Sequence, residues 1–502
     1  MAIAANPGDV NSPNYVHPLV LDYRWEMGFL KEVWDGLRGA GVKGKYCPKE
    51  EREPGRAYQQ RLDRCRFDNR FQPAIKDYSG LLSVFTLNED TPKSIISNKE
   101  NIDQQGSSIW TFLSEADQMA LRDGWCGIYV DYPPTDENIQ SQGDLLASDR
   151  RPYLVLIERG SVINWDFEYD INGKPVLKML VLQESVFVRT GKYGHTLIQQ
   201  YRVLYPGSFE VWGLVPSPET QNVSDTVLEL FEAGETSLET IPFVYYSVSG
   251  GGLFQSPAPF LNLALLNVEH YQKRSQKNEV LRKCNLPVPV RRGAIRDPKT
   301  NQFPPLIIGP NSCVDVPENG DFFFAEPSGA AIASTSEDIK QLELAMDRTT
   351  LDFLTNGDGQ KTATEVIIDS AKTGASLTDM ARRKESAVQS TFELWIAYTG
   401  ESEGGGITMD ESLLQTPMSP EEIGQITNLA SQGFISQKTL LTTLQQGKIL
   451  SKDFDVDAEL VDTQQVQEPD DPEKIYPEGE ADEIEPANES GDYYPQEPKR
   501  SY

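Results

Sequence analysis

The sequence predicts an α+β chain, and three observations predict it. Between Trp125 and Leu204 short alternating runs are separated by turn signals, the mark of an antiparallel meander. Between Ser256 and Leu450 the pattern changes to a fixed order of helices and interruptions. Three of those helical runs open on a hydroxyl followed three residues later by Glu: Ser334 and Glu337, Thr362 and Glu365, Ser419 and Glu422. In that arrangement the hydroxyl accepts from the N3 amide and the carboxylate reaches back to the N-cap amide. Pro420 falls at N1, where its missing N–H is harmless.

In chain order, the first 60 residues read as an extended arm with a short helix, Tyr23 to Leu37. Tyr58 to Phe85 carries Leu62, Cys65, Phe71, Ile75, Tyr78, Leu81 and Leu82 at helical spacing, and Ser107 to Gly124 is a second amphipathic helix stopped by its glycine. Trp125 to Tyr132 reads as a strand ended by Pro133 and Pro134. Ile163–Tyr169 and Val176–Leu182 flank an Asn172-Gly173 hairpin turn. Ser185–Arg189 and Thr196–Leu204 flank Gly191 to Gly194, and another hairpin turns at Pro206-Gly207.

The second half begins with a helix from about Pro257 to Lys283. Its apolar stripe, Leu261, Leu265 and Val268, gives way to an all-polar surface with Lys273, Arg274, Lys277, Arg282 and Lys283. Such a helix is a solvated spacer or is flanked by neighbouring chains; at 1.5 Å per residue it spans roughly 40 Å. A Pro/Gly-rich insert follows to about Ala333. A second helix from Ser334 carries Glu337, Asp338, Glu343, Asp347 and Asp352 against Lys340 and Arg348, so the two helices are expected to pair electrostatically or to present ordinary solvated faces. It breaks at Asn356-Gly357-Asp358-Gly359. A long helix then runs from Thr362 to about Thr399, and a helix pair follows Ser419, with Gly433 ending one helix and Ser436 capping the next. Two helices bracketing an insert, then a loop and a long helix, suit a stalk with a tip rather than a pocket enzyme.

Charge narrows the function further. The net charge is −30, and residues 464–502 hold twelve acidic and three basic residues, so about −21 belongs to the body. That surface repels phosphate and argues against tight nucleic-acid gripping, though not against a wall past which DNA slides. The last helix pair, with only Lys438 and Lys448 in its second helix, is a packed pair rather than a DNA-reading helix-turn-helix. No run approaches the length of a membrane span, and the N-terminus lacks the basic and apolar regions of a signal peptide. Five scattered cysteines without a C-x-x-C suit a reduced compartment.

Candidate catalytic motifs fail on context. Gly39-Ala-Gly41-Val-Lys-Gly44 matches G-x-G-x-x-G and nearly a P-loop, but Tyr46 stands where Ser or Thr must hold Mg²⁺, and a helix precedes it; a surface loop is expected. The three histidines, His17, His195 and His270, lie far apart and give no zinc spacing. No G-x-S-x-G elbow exists, and neither a cofactor nor an enzyme activity is expected.

Several strings in this order carry a family resemblance. They are Tyr58-Gln-Gln-Arg-Leu62 on to Asn69, Asn101-Ile-Asp-Gln-Gln-Gly-Ser-Ser-Ile109, Asp123-Gly-Trp-Cys-Gly-Ile-Tyr-Val-Asp131-Tyr-Pro-Pro, and Arg151-Pro-Tyr-Leu154 with Val162-Ile-Asn-Trp165. Further on come Ile241-Pro-Phe-Val244, Leu263-Ala-Leu-Leu-Asn-Val-Glu-His-Tyr271, Thr362-Ala-Thr-Glu365 and Gly433-Phe-Ile-Ser436. Together they make the chain resemble the portal (head-to-tail connector) proteins of tailed double-stranded DNA phages, in the branch whose domain is catalogued without an assigned function.

The resemblance implies a phage portal fold, assembled as a ring oligomer, usually of twelve copies, at one capsid vertex. Its parts would be an arm (1–57), an α+β wing (58–255), stem helix 1 (256–283), a clip (284–333), stem helix 2 (334–354), a tunnel loop (355–361), a long wing helix with linker (362–418), crown helices (419–460) and an acidic tail (461–502). It implies a DNA channel touched by Asn356, Gly357, Asp358, Gly359, Gln360 and Lys361, and an adaptor or terminase contact through Arg291, Arg292, Arg296 and Lys299 of the clip. The implied partners are the major capsid protein, a tail adaptor protein, the terminase motor and double-stranded DNA read without sequence specificity, with no membrane. The implied location is the virion, after assembly in the host cytoplasm. Rival readings are another virion structural or adaptor protein, or a nucleotide-dependent packaging enzyme.

The tail composition sets a first test. Residues 464–502 lack apolar periodicity and are expected to be disordered, so deleting them should leave the assembly state of the purified chain unchanged by native mass spectrometry.

Overall fold

The computed structural model describes residues 2–133, 150–217, 226–284, 288–303, 316, 318–325, 330–350, 363–402, 404–410, 420–447, 449–451 and 454–466. They fall into two compact units, Met1–Thr416 and Pro417–Tyr502.

The first unit opens with β1 (Ala2–Ala4), α1 (Pro18–Trp34), α2 (Ala40–Tyr46), α3 (Gly55–Arg64) and α4 (Phe71–Leu82). β2 (Phe85–Leu87), α5 (Lys93–Asn98) and α6 (Ile109–Asp123) follow, then β3 (Trp125–Asp131), β4 (Tyr153–Glu158), β5 (Val162–Tyr169), β6 (Pro175–Thr190), β7 (Gly194–Tyr205), β8 (Ser208–Pro216), β9 (Thr226–Glu235) and β10 (Phe243–Ser247). The rest is α7 (Leu261–Cys284), β11 (Val288–Arg292), β12 (Asp321–Ala325), α8 (Ala330–Asp347), α9 (Ala363–Thr399) and β13 (Ile407–Met409). The second unit holds α10 (Pro420–Ser431), α11 (Gln437–Gln446) and α12 (Val456–Val466). The mixed α+β class expected from the sequence is the class observed.

The meander is a six-stranded sheet in the order β1-β9-β8-β7-β6-β5, and its neighbours pair antiparallel. A three-stranded sheet, β10-β3-β4, carries the Trp125 strand at its centre. That strand is buried on both faces. Cys126, Ile128 and Val130 face a large helical core, while Trp125 and Tyr129 face a second core shared with Trp165, Leu180 and Phe254. The opposite face of the large sheet forms a third cluster around Ile163, Val181, Tyr201 and Trp212.

Local signals placed several ends well. Ser108 caps α6, accepting from the Thr111 amide at 3.3 Å. Gly124 ends α6 at φ +92°, and an added Cβ would fall 2.5 Å from the Ser256 carbonyl oxygen, so both backbone sign and space demand glycine. Ser436 caps α11 as expected, accepting from Thr439 N at 3.1 Å. The long helix starts at Ala363 and ends at Thr399, within a residue of the expected bounds.

Other boundaries differ, each for a tertiary reason or a local one. α1 starts at Pro18, not Tyr23, because His17 supplies the cap: its Nδ1 accepts from Leu19 N at 3.2 Å while its ring stacks on Trp165 at 4.3 Å. Residues 40–46 form a helix rather than a loop; Lys45 pairs with Glu32 of α1 at 2.6 Å and Tyr46 donates to the same carboxylate. The Tyr58–Phe85 run is two helices and a strand. The Ser185–Arg189 run continues β6 rather than forming a strand of its own. α8 begins at Ala330, so Ser334 lies inside the helix and its capping box does not form; the Ala-rich start 330–333 has high helix propensity and carries the helix past it. Helix α12, Val456–Val466, extends ordered structure into the tail's first residues. Thr362 and Ser419 lie outside the described residues.

α9 is locked by a buried ion pair. The Lys384 ammonium, 1% exposed, lies 2.6 Å from Asp117 Oδ2, 2.8 Å from the Leu82 carbonyl oxygen and 4.8 Å above the Phe85 ring. Asp117, 0% exposed, accepts from the Tyr246 hydroxyl through its other oxygen at 2.7 Å. Removing one partner of such a pair leaves an uncompensated buried charge. Lys384→Met should therefore lower stability by about 3–5 kcal/mol, and adding Asp117→Leu should recover most of that loss, both read as urea-unfolding free energies.

Candidate functional site

The two helices expected to form a stalk, α7 and α8, do pack against each other, with β11 and β12 between them in sequence. They run antiparallel: Asn267 and Asp347 meet the same Arg70, and one turn further along α7 His270 meets Glu343. Val268, Tyr271, Ile339, Leu342 and Met346 are buried along the pair.

Of the two expected arrangements, the described ion pairs follow ordinary solvated faces rather than a basic-against-acidic pairing of the helices. The cations of α7 turn to other partners: Lys273 to Glu269 at 3.3 Å and Arg274 to Asp68 at 3.3 Å, while Glu279 takes Arg64 of α3 at 3.5 Å. The carboxylates of α8 are met from outside that basic set. Arg70 lies 2.7 Å from Asp347 and 4.0 Å from Glu343, and His270 Nε2 lies 3.0 Å from Glu343.

Asn267 seats both helices on the body. Fully buried, it accepts from the amides of Arg70 and Phe71 at 2.9 and 3.3 Å and donates to the Asp68 carbonyl at 2.7 Å. It thus caps α4 from another helix, together with the local Asn69 side chain, which accepts from Gln72 N at 3.1 Å. Neither Arg70 nor Asn267 was singled out from the sequence. An amide inside the apolar run Leu263 to Tyr271 was the available signal.

The four clip cations lie on one short ribbon and its loop. Arg291 and Arg292 are on β11, in register with Phe322 and Asp321 of β12. The Arg296 guanidinium sits over Phe303 at 4.9 Å. Lys299 lies in a tight turn in which its amide donates to Asp297 Oδ1 at 2.8 Å. Arg292, Arg296 and Lys299 are exposed, among exposed Ile295, Phe303, Phe323 and Phe324. The cluster thus combines cations with uncovered apolar surface, the makeup of a protein contact. The six expected channel residues, 356–361, lie outside the described residues.

Among the described residues, no group of His, Cys, Asp and Glu could hold a metal ion, and no helix is long and apolar enough to cross a membrane. A cleft of about 200 Å³ between α3 and α7 gathers Arg61, Arg64, Arg282 and Cys65. That is small for a ligand site, and Arg61 is already held by Glu53 at 2.8 Å and 2.9 Å. Burial pushes the Cys65 and Cys126 thiols up, away from the reactive thiolate.

With the geometry in place, comparison with known proteins gives three findings. A family model described as a domain of unknown function (DUF4055) matches residues 259–399, from just before α7 to the end of α9. No curated protein matches the sequence. Among solved structures, the chain is similar to a component of the virion of a native gene transfer agent particle, at 10% identity and a TM-score of 0.39, covering 74% of this chain and 88% of that one. It is also similar to a component of the neck of the native particle computed with C12 symmetry, at 9% identity and a TM-score of 0.37, with the same coverage.

The Asn267 seat gives a test within the matched region. Asn267→Ala leaves two amides and a carbonyl without their partner and should lower stability by about 2–3 kcal/mol, measured by urea unfolding.

Proposed function

We propose that this chain is a phage portal protein: copies form a ring at one capsid vertex, the genome passes through its channel during packaging and ejection, and the ring serves as the docking platform for motor and tail. The observation that carries this reading is the order of parts. An antiparallel helix pair brackets a cationic, aromatic ribbon, and a 37-residue helix follows, docked on an α+β body. The strings shared in order with portal proteins support it, as does the family match over α7 to α9. The absence of any catalytic constellation from the sequence motifs leaves the packaging-enzyme reading without a site.

In this reading α7 and α8 are the stem, the ribbon is the clip and the wing is the sheet-bearing body with α9. Residues 356–361 form the tunnel loop, and α10 and α11 belong to the crown. A body charge near −21 keeps DNA sliding rather than bound. The ring partners are the major capsid protein, a tail adaptor, the terminase motor and double-stranded DNA. Arg291, Arg292, Arg296 and Lys299 contact adaptor or motor, and the assembled ring resides in the virion.

Native mass spectrometry and electron microscopy of the purified chain test this directly. A closed ring with a central hole, most simply of twelve copies, is the expected outcome. A monomer at micromolar concentration under every salt condition would sink the reading, and an adaptor-type assembly without a channel would favour the rival virion role. Deleting Asp358 to Gln360 should spare the ring and impair packaging. Lys361→Ala should weaken any DNA contact and reduce its salt dependence, because one fewer counterion is released per loop.

A further inference from the structure

The β6–β7 hairpin outgrows its sheet. β5 pairs with β6 only as far as Leu182, and β8 pairs with β7 only from Gln200 onward. From Gln183 to the turn at Gly191, and back to Gln199, the two strands have only each other. At about 3.3 Å per residue this ribbon projects roughly 25 Å. Every residue from Ser185 to Leu197 is exposed. Phe187 is 71% exposed, Tyr193 83% and Leu197 55%, and Phe187 and Leu197 are directly opposed on one face. A bare two-stranded ribbon is marginal in water, and uncovered apolar pairs on unpaired edges mark it for a partner.

The arm's charge identifies what partner it fits. Its last carboxylate, Glu184, is held at the base by Arg202 at 2.8 Å and Gln200 at 2.6 Å. Beyond it, residues 185–198 contain Arg189 and Lys192 and no acid, in a chain whose net charge is −30. The other side of the same sheet offers the complement. β1 covers β9 only at Val227 to Glu229, so among the described residues Leu230 to Glu235 have β8 on one side and no strand on the other. That edge carries Glu232 and Glu235 and no cation. Its Phe231, 46% exposed, lies flat where a side chain at position 213 would stand; only glycine there leaves the space, an added Cβ falling 1.9 Å from the ring.

Arm and edge cannot meet within one copy. Glu235 is level with Ser208, at the β7–β8 turn, whereas the arm leaves from the opposite end of β6 and β7. The two surfaces lie at opposite ends and toward opposite edges of the sheet, the arrangement of a head-to-tail contact, which closes into a ring or runs on as a chain.

We propose that the β6–β7 arm of one copy packs along the outer edge of β9 of a second copy, Phe187 and Leu197 against Phe231, and Arg189 and Lys192 against Glu232 and Glu235. The contact rests on the ring proposed above only for its closure. Open edges are filled in this way by added strands elsewhere, and the like-charged remainder of the surface disfavours other registers.

Charge reversal in the full-length chain tests it by native mass spectrometry and sedimentation. Arg189→Glu with Lys192→Glu should weaken assembly about 100-fold, with an unchanged circular-dichroism melt, since all four charged positions are on the surface. Adding Glu232→Lys and Glu235→Lys to the same chain should bring assembly back to within about tenfold of the unmodified protein. Rings that form undiminished after the first pair of substitutions overturn the arm contact and leave the portal reading standing. Open chains of copies that need Arg189 and Lys192 support the contact and overturn the closed ring. A folded fourfold variant that stays unassembled overturns the proposed pairing of arm with β9.

Discussion

A single carboxylate in the middle of the protein fixes most of what surrounds it. Asp117 takes the Lys384 ammonium on one oxygen and the Tyr246 hydroxyl on the other, joining α6, α9 and β10 at one point. Lys384 adds the Leu82 carbonyl at the end of α4. A charge so deeply buried is tolerated only with its partners in place. Sliding α9 by one turn, about 5.4 Å, would remove all of them at once. The pair therefore sets the register of the long helix more sharply than its apolar face does, since Leu377, Met380, Ala381, Val388 and Phe392 could be accommodated with other small shifts of packing.

The register of α9 matters because of what the helix connects. It leads out of residues 351–362 and delivers β13 to its pairing with β2, where Met409 N donates to Glu385 at 2.8 Å. Trp395 donates to Ser94 at 3.0 Å near its far end. The chain that follows α9 is thus positioned by the body, through β2 and Glu385. α7 is seated in the same manner by Asn267, so the helix pair that carries the β11–β12 ribbon is fixed to the core by a buried amide and a partly buried arginine in addition to Leu263, Ala264, Val268, Tyr271 and Met346.

The distribution of charge follows a related logic. Carboxylates dominate the chain, yet the described ion pairs place arginines at the joints: Arg70 at α8, Arg122 and Arg159 near the end of α6, and Arg202 at the base of the arm. Arg122 is bidentate on Asp123, and Arg159 bridges Glu26 and the Asp123 carbonyl. The planar guanidinium satisfies several acceptors in a fixed geometry, which a lysine does not. Exposed cations remain on the body, among them Arg38, Arg52, Arg56 and Arg66, as well as on the β11–β12 ribbon and the β6–β7 arm.

Much of this was determined by the sequence alone. The α+β class, the meander, the order of helices after Ser256, the long helix to Thr399 and the ends at Gly124, Ser436 and, one residue off, Ser107 are local matters, because periodicity, caps and left-handed glycines act within a few residues. The four cations of the ribbon were also legible by residue type. Tertiary structure alone decided the rest. It brought Asn267, some 200 residues away in the chain, onto the amides that open α4, beside the local Asn69 side chain that accepts from Gln72 N, began α1 at the His17 that stacks on Trp165, turned residues 40–46 into a helix against Glu32, and gave Arg274 of α7 to Asp68 and Asp347 of α8 to Arg70. Each of these depends on a partner distant in sequence. A hydrogen-bond donor's own neighbours cannot say which acceptor will reach it, and a periodic stripe fixes which face is buried without fixing what buries it.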